Sequence, residues 1–399
     1  MMAGLIDKLQ RAVSRPRPGV PGLPRRPRVA FMTTVHHNVG DEFIREGIRS
    51  FLDEVLGDYD PFYVHKHDLA TLKTPLLDEG ELLGDKFRDA DIIVQAGAPV
   101  YWVINEHRCY SVEWAQDLWY ERIFKLGPDK PVLNIGAGVC QADEEELGPL
   151  TADAKCVDFA QQAGKACRWT SVRDPLGARF LAAAGVEHEL LPCPAFHAAR
   201  RVISGKTPRD VLAVNLMKIA GHHVIKPQND PARWWQVIAK VLPELRDKHT
   251  LLFVAHDAAE AEFQRNFARP GEMVFLSPDY RDYLSVYGSV KGIFANRVHG
   301  AVCVAGFGRP AVIVGTDSRI GIGRPIGIPV IDSSAVTPEW IIKSLDEQFA
   351  RAPALSRERL DLRESSARVY VQRIRAALAP RTNGQMNGAS LPSGAGSRA

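Results

Sequence analysis

Short, nearly unbroken apolar runs recur along this chain, each followed by a polar turn and then by a stretch of helical spacing. The runs Arg28–Thr33, Asp91–Ala96, Val132–Gly136, Trp169–Val172 and Glu189–Pro192 read as one set of strands. Val211–Leu216, Thr250–Val254, Met273–Leu276, Ile293–Ala295 and Ala311–Val314 read as a second. Between them, Phe43, Ile44, Ile48, Phe51, Leu52 and Val55 share one helix face, and Asp153–Gly164, Pro231–Leu245, Ala258–Phe267, Tyr280–Gly288 and Gly300–Phe307 read as further helices. Another opens with Asp174 as cap and Pro175 at its first position, and stops at Gly185. The aromatic stretch Tyr101–Leu126, with Tyr110, Trp114, Trp119 and Tyr120, reads as a core or lid helix. Strands without polar alternation are covered on both faces, so the pattern predicts an α/β protein with parallel sheets flanked by helices.

A chain of 399 residues exceeds what one hydrophobic core usually serves, so two Rossmann-like domains are expected. The divisions fall at a basic, Pro-rich leader (1–27), an N-terminal domain (28–197), a linker without apolar periodicity (198–210) and a C-terminal domain (211–336). Two terminal helices, Pro338–Phe349 and Leu355–Leu378, occupy 337–379 and are long enough to return over the first domain; a Gly/Ser/Asn/Pro-rich tail (380–399) is expected to be disordered.

Composition narrows the function. With 50 basic and 47 acidic residues the formal net charge is +3, too small to argue for nucleic acid. Six cysteines without a C-x-x-C pair point away from zinc and from a disulfide framework, and towards a reducing, cytoplasmic setting. No apolar run reaches the length of a membrane span. Leu5–Val13 and the basic RPRPGVPGLPRRPR that follows allow either a solvated leader or weak peripheral attachment at the inner face of a membrane.

The candidate chemistry centres on Gly292–Val314, a strand, crossover, strand unit. Ligands bind outside the carboxyl ends of strands in open α/β sheets, and Asn296, Arg297 and His299 fall at such an end. An extended backbone there would aim Arg297 and His299 into one crevice, and Gly300 would open a helix whose N–H groups add positive charge. The pocket suits a phosphate or carboxylate. Arg173 occupies another strand end, and Arg319 lies in a Gly-rich loop after a third. On the amino-terminal side, Asn38, Gly40 and Asp41 lie at the mouth of the cleft, where the polar pair could bond sugar hydroxyls and Asp41 could equally cap the helix. Gly97 and Gly136 end strands where a ligand could approach the backbone. The spacing of His222, His223, His256 and His299 supports no metal site, and no G-x-G-x-x-G fingerprint is present.

Taken in order, N-x-G-D-E-x-I at Asn38–Ile44, I-G-A-G-V at Ile135–Val139, S-V-R-D at Ser171–Asp174, L-x-x-x-G at Leu181–Gly185 and N-R-V-H-G-x-V-x-x-A-G-x-G-x-P at Asn296–Pro310 resemble the polysaccharide pyruvyl transferase family. The resemblance covers about residues 28 to 335. It implies two Rossmann-like halves in a GT-B arrangement with the active site between them, no cofactor, and transfer from phosphoenolpyruvate onto a sugar of a glycan precursor or exopolysaccharide. It further implies that Arg297, with Arg173 or Arg319 opposite, grips the donor, that His299 is the general acid, and that Asp41 accepts the acceptor's proton. The chain departs from the family pattern at Ala98, at Pro175-Leu176, at Cys193-Pro194 and in the loop Thr316–Arg319. Two other functions fit the residues less well. A GT-B nucleotide-sugar glycosyltransferase would carry an E-x-7-E-like signature, and a non-catalytic sugar- or phosphate-binding relative would not need a proton donor beside its anion clamp.

Overall fold

The computed structural model describes residues 26–34, 38–65, 89–105, 108–109, 116–127, 129–202, 208–221, 226 and 228–380, besides Gly22. Leu5–Val13, the tail after 380, Tyr110, Trp114, His222 and His223 lie outside the described residues.

The first domain runs β1 (Arg28–Thr33), α1 (Val39–Leu56), β2 (Asp60–His65), β3 (Ile92–Ala96), β4 (Val132–Val139), α2 (Ala154–Ala166), β5 (Trp169–Val172), α3 (Pro175–Ala183) and β6 (Glu189–Leu190). Its main sheet is parallel in the order β2-β1-β3-β4-β5-β6. The strand order reverses between β1 and β3, and a reversal of this kind leaves a crevice at the strands' carboxyl ends. The strands β1, β3 and β4 are buried almost throughout, which is why their sequences lack alternation.

The second domain runs β7 (Val211–Asn215), α4 (Pro231–Lys248), β8 (Thr250–Val254), α5 (Ala258–Arg265), β9 (Met273–Phe275), α6 (Tyr280–Tyr287), β10 (Gly292–Ala295), α7 (Val298–Gly306), β11 (Ala311–Gly315) and β12 (Val330–Asp332). Its sheet is parallel in the order β9-β8-β7-β10-β11-β12. Counted within the domain this is the Rossmann order 3-2-1-4-5-6, with its switch point between β7 and β10. Two further helices follow, α8 (Pro338–Ala350) and α9 (Ala352–Leu378).

Three elements depart from the sequence reading. The stretch 101–126 is not one helix: its described residues form short strands, a π-helical turn at Gln116–Tyr120 and a 3-10 turn at Ile123–Lys125. Trp119 there is fully buried among Phe124 and Phe159, so aromatic burial rather than helical periodicity accounts for its residues. The Gly-rich loop after β11 winds into a 3-10 segment, Ser318–Ile326, capped by Asp317. The linker expected from 198 starts inside a 3-10 segment, Pro194–Arg201, whose Pro194–Ala199 are buried.

That crossing segment wedges between the domains. A Cβ added at Gly47 of α1 would lie 1.8 Å from the Pro194 carbonyl oxygen, and one at Gly306 of α7 would lie 2.1 Å from that of Phe196. Both glycines let helix backbone touch segment backbone, and one apolar cluster therefore runs from Phe43 and Phe51 through Phe196 to Ala301 and Val302. Gly306→Ala is expected to cost about 1–3 kcal/mol through overpacking, although alanine is the better helix former by about 1 kcal/mol. Urea unfolding of both variants checks this: Gly148→Ala, where no described atom lies within 4 Å, should be neutral or slightly stabilising.

Helix α9 ties both domains together. Tyr370 stacks on Phe51 at 4.4 Å and donates to the Pro192 carbonyl at 3.0 Å, while Arg363 donates to the Gly306 carbonyl at 2.7 Å. Beneath it His197 is completely buried, with Nδ1 unpartnered among the described residues. Burial, reinforced by Arg200 and Arg363, holds its pKa well below the ordinary value. The folded protein then leaves His197 neutral while the unfolded chain protonates it below about pH 6.5. Stability should fall as pH drops through that value, by about 1.4 kcal/mol per pH unit more than in His197→Phe, read by urea unfolding at pH 7.5 and 5.5.

Candidate active site

The two switch points face each other across one cavity of about 230 Å³. Turns after β1, β3 and β5 line it from the first domain with Thr34, Asn38, Gly40, Asp41, Pro99, Trp102 and Arg173. Turns after β8, β10 and β11 line it from the second with His256, Asn296, Arg297, His299, Thr316, Asp317 and Arg319. A clasp beside it holds the domains together: Ser318 N donates to the Gln141 carbonyl at 2.9 Å, Gln141 N donates to Ser318 Oγ at 2.8 Å, and Lys226 pairs with Asp143 at 2.8 Å.

Helix α1 starts at the cavity, capped by Asn38, whose Oδ1 accepts from the backbone of Gly40 at 3.1 Å and Asp41 at 3.3 Å. Asn38 therefore does the capping suggested for Asp41. Asp41 is buried and accepts a hydrogen bond from the Thr34 hydroxyl. Opposite, α7 begins at Val298 rather than Gly300, because Arg297 already takes the N-cap position. Arg297 and His299 thus sit on a helix start rather than alternating along a strand. Two helix N-termini converge on the cavity and supply partial positive charge.

Three arginines line the cavity, and their partners separate them. Arg297 is held by Glu260 through Nε and by Asp257 through Nη2 at 2.7 Å. Its backbone N–H donates to Asn215 Oδ1 at 2.8 Å, and Glu260 also accepts from Asn215 Nδ2 at 3.0 Å and His256 N at 2.9 Å. Burial raises the Glu260 pKa against the opposing pull of Arg297. Arg319 forms a fork with Asp317 at 2.7 and 2.6 Å; burial works against its charge, and Asp317 more than offsets this, leaving its pKa raised. Arg173 differs. It is fully buried, its Nη1 donates to His299 Nε2 at 3.2 Å, and its Nε and Nη2 have no hydrogen-bond partner among the described residues.

This contact specifies the imidazole. A guanidinium has no lone pair to offer, so His299 Nε2 is the acceptor and a neutral ring carries its proton on Nδ1. Nδ1 packs on the start of α1, where a Cβ at Gly40 would lie 2.7 Å from it. His256 is buried, with Nε2 2.6 Å from Tyr287 Oη, and burial together with Arg297 and His299 keeps its pKa well below the ordinary value. The site can therefore hold an anion against Arg173 and move protons through His299 and Asp41, one from each domain.

Asn38, Gly40, Asp41, Arg173, Asn296, Arg297, His299 and Arg319 all lie on this cavity wall. Asn296 spends its amide on Met217 N at 2.8 Å and the Val314 carbonyl at 2.9 Å, so it braces the turn. Gly97, Gly136 and Gly300 are not among the lining residues. Gly97, with φ of 66°, packs against Ile44 one layer behind Arg173; Gly136, with φ of 69°, lies inside β4 beneath Pro194; Gly300 packs on Tyr287. Thr34, Thr316 and Asp317 were not singled out from the sequence for the site although they follow strands, and Trp102 was hidden by the helical reading of its segment. Among the described residues no group of His, Cys, Asp or Glu could hold a metal ion.

A family model described as polysaccharide pyruvyl transferase matches residues 38–318. The chain belongs to that family. The match takes in the turns that build the cavity, from Asn38 to Ser318. No curated protein sequence matches the chain significantly. Among solved structures, a protein described as a UDP-N-acetylglucosamine 2-epimerase from Listeria monocytogenes is similar at a TM-score of 0.50 and 12% identity, over 84% of this chain and 90% of that one. UDP-GlcNAc 2-epimerase from Neisseria meningitidis bound to UDP-GlcNAc aligns at 0.49 and 10%, over 87% and 99%. The glycotransferase of kitacinnamycin aligns at 0.43 and 15%, over 89% and 98%. The two parallel Rossmann-type sheets and the similarity at a TM-score of 0.50 give this family member the GT-B fold. No helix among its described residues is long and apolar enough to cross a membrane.

The pairing of Arg297 also changes what its removal should do in this family member. Arg297→Ala would leave Glu260, 4% exposed, as an uncompensated buried carboxylate. A loss of about 3–5 kcal/mol in urea unfolding is expected, and Glu260→Gln in the same chain should restore part of it.

Proposed function

We propose that this chain transfers the carboxyethylidene group of phosphoenolpyruvate onto two hydroxyls of a sugar in a glycan precursor, forming a ketal. The supporting observation is Arg173, a buried guanidinium with two nitrogens unpartnered among the described residues, at the meeting of two switch points. The neighbouring buried Asp174 balances part of its charge, and a donor with phosphate and carboxylate groups matches the nitrogens that make no hydrogen bond among the described residues. The cavity of about 230 Å³ suits a donor of few atoms better than a whole nucleotide sugar; ligand clefts for larger molecules run to about 300–1,000 Å³.

The reaction balances as follows. The donor's methylene carbon gains one proton and becomes a methyl group, and the adjacent carbon is attacked by one sugar hydroxyl, which loses its proton. The bond from that carbon to the phosphate oxygen breaks, phosphate leaves carrying a proton, and the second hydroxyl adds with loss of its own. Two protons are lost by hydroxyls and two are gained, one by carbon and one by phosphate. His299 and Asp41 are the groups we assign to exchange them. Helix N-termini and Arg173 stabilise the leaving phosphate.

Incubation with phosphoenolpyruvate and a panel of sugar and glycan-precursor acceptors should release phosphate only when an acceptor is present. Phosphoenolpyruvate alone should raise the melting temperature, by about 2.7 kcal/mol of linked stability at a hundredfold excess over Kd, while UDP-GlcNAc should not. Stabilisation by UDP-GlcNAc and none by phosphoenolpyruvate would reverse the assignment.

A further inference from the structure

Behind the domain junction lies a second, larger cleft of about 990 Å³. Helices α1 and α7 both start at the front cavity and run back to it, so Glu46 and Arg49 stand about 9–14 Å along α1 from Gly40. Five arginines line this rear cleft: Arg49 and Arg201 from the first domain and the crossing segment, Arg281 and Arg309 from the second domain, and Arg363 from α9.

Most are matched internally. Arg49 and Arg201 converge on Glu46, which also accepts from Tyr280 Oη at 3.0 Å; Arg363 pairs with Glu364 at 2.9 Å and Arg281 with Asp279 at 3.6 Å. Arg309 is different. Its carbonyl is held by Arg359, yet its Nε is buried with no partner and no carboxylate pairs with it among the described residues. Burial lowers its pKa without an opposing acid. Arg49, on the facing domain, is paired with Glu46 through Nη1, and its buried Nε makes no close hydrogen bond among the described residues. Tyr280, Leu284, Phe307 and Leu360 form the apolar part of the wall.

A guanidinium partly withdrawn from water with no carboxylate beside it favours an anionic partner. We infer that the rear cleft is a second anion site, taking the phosphate group of a ligand on Arg309 with Arg49 closing from the other domain. Because both domains contribute, an occupied cleft braces the junction at the far ends of the two helices that begin at the front cavity. The phosphate could belong to a soluble phosphate ester or to a lipid headgroup whose chains follow the apolar wall.

Calorimetric titration separates these with two probes, inorganic pyrophosphate and dihexanoyl phosphatidic acid below its micellar concentration. Binding of either probe that weakens about tenfold or more in Arg309→Gln supports the site, as loss of a charge-assisted contact predicts. Binding of both assigns recognition to the phosphate itself, and binding of the lipid alone assigns it to a headgroup. Arg309→Lys should keep part of the affinity. Since Arg309 Nε has no internal partner to lose, the unliganded Gln variant should melt at or above the wild-type temperature, which separates lost binding from lost folding. If neither probe binds, or if number of sites and affinity are the same in wild type and Arg309→Gln, the rear site does not exist.

Discussion

Arg173→Gln is expected to lower turnover with phosphoenolpyruvate by about 10²–10³-fold, the range seen when one preorganised donor to a developing anion is removed. Its donor affinity should fall as well, because the planar fork meets both ground state and transition state. Arg173 is the cavity arginine whose Nε and Nη2 make no hydrogen bond among the described residues, with the buried Asp174 beside it acting through charge, whereas Arg297 and Arg319 are directly paired with carboxylates. Arg173→Lys should recover little, since a single ammonium cannot reproduce two parallel N–H bonds. Steady-state phosphate release and a donor titration on each variant test this. Wild-type values for both in Arg173→Gln would remove the anchor from the proposed mechanism.

His299→Ala should cost about 10²–10⁴-fold in kcat, the usual worth of positioned proton transfer, while donor affinity drops less than in the Arg173 variant. The reason lies in the 3.2 Å contact: the Nε2 lone pair is held by Arg173 Nη1, so it becomes available to take or return a proton only as that guanidinium turns to the bound donor. Loss of the ring also frees Arg173 Nη1, which can still turn to the donor. Partial rescue of kcat by added imidazole would distinguish proton transfer from packing. An Ala variant within about threefold of wild type, with donor binding intact, would mean that the proton moves elsewhere.

Much of the fold was legible in the chain because the strands of a parallel sheet are buried on both faces. Arg28–Thr33, Thr250–Val254 and Trp169–Val172 appear in the structure with the predicted bounds. Reading failed where the local pattern was ambiguous. The aromatics after Tyr101 looked helical by spacing, yet Trp119 is where it is because it fills the space beside Phe159. Gly136 looked like a strand end, but its backbone continues β4 with positive φ under Pro194. Asp41 resembled a cap, while Asn38, three residues earlier, reaches the free N–H groups.

For the site, strand-end position identified Arg173, Arg297, His299 and Arg319, since a polar residue after a buried strand must emerge at the crevice. Their relative importance could not be ranked from sequence, because Glu260 lies 37 residues from Arg297 and His299 lies 126 from Arg173. Alternating buried strands and helices, with polar residues at strand ends, thus determined by themselves the class of fold and the set of candidate groups. Which guanidinium is directly paired with a carboxylate, which nitrogen of the imidazole accepts from Arg173, and how the two crevices meet were decided only by tertiary structure. Charge pairing acts over a few ångströms of space, and distance along the chain carries almost no information about it.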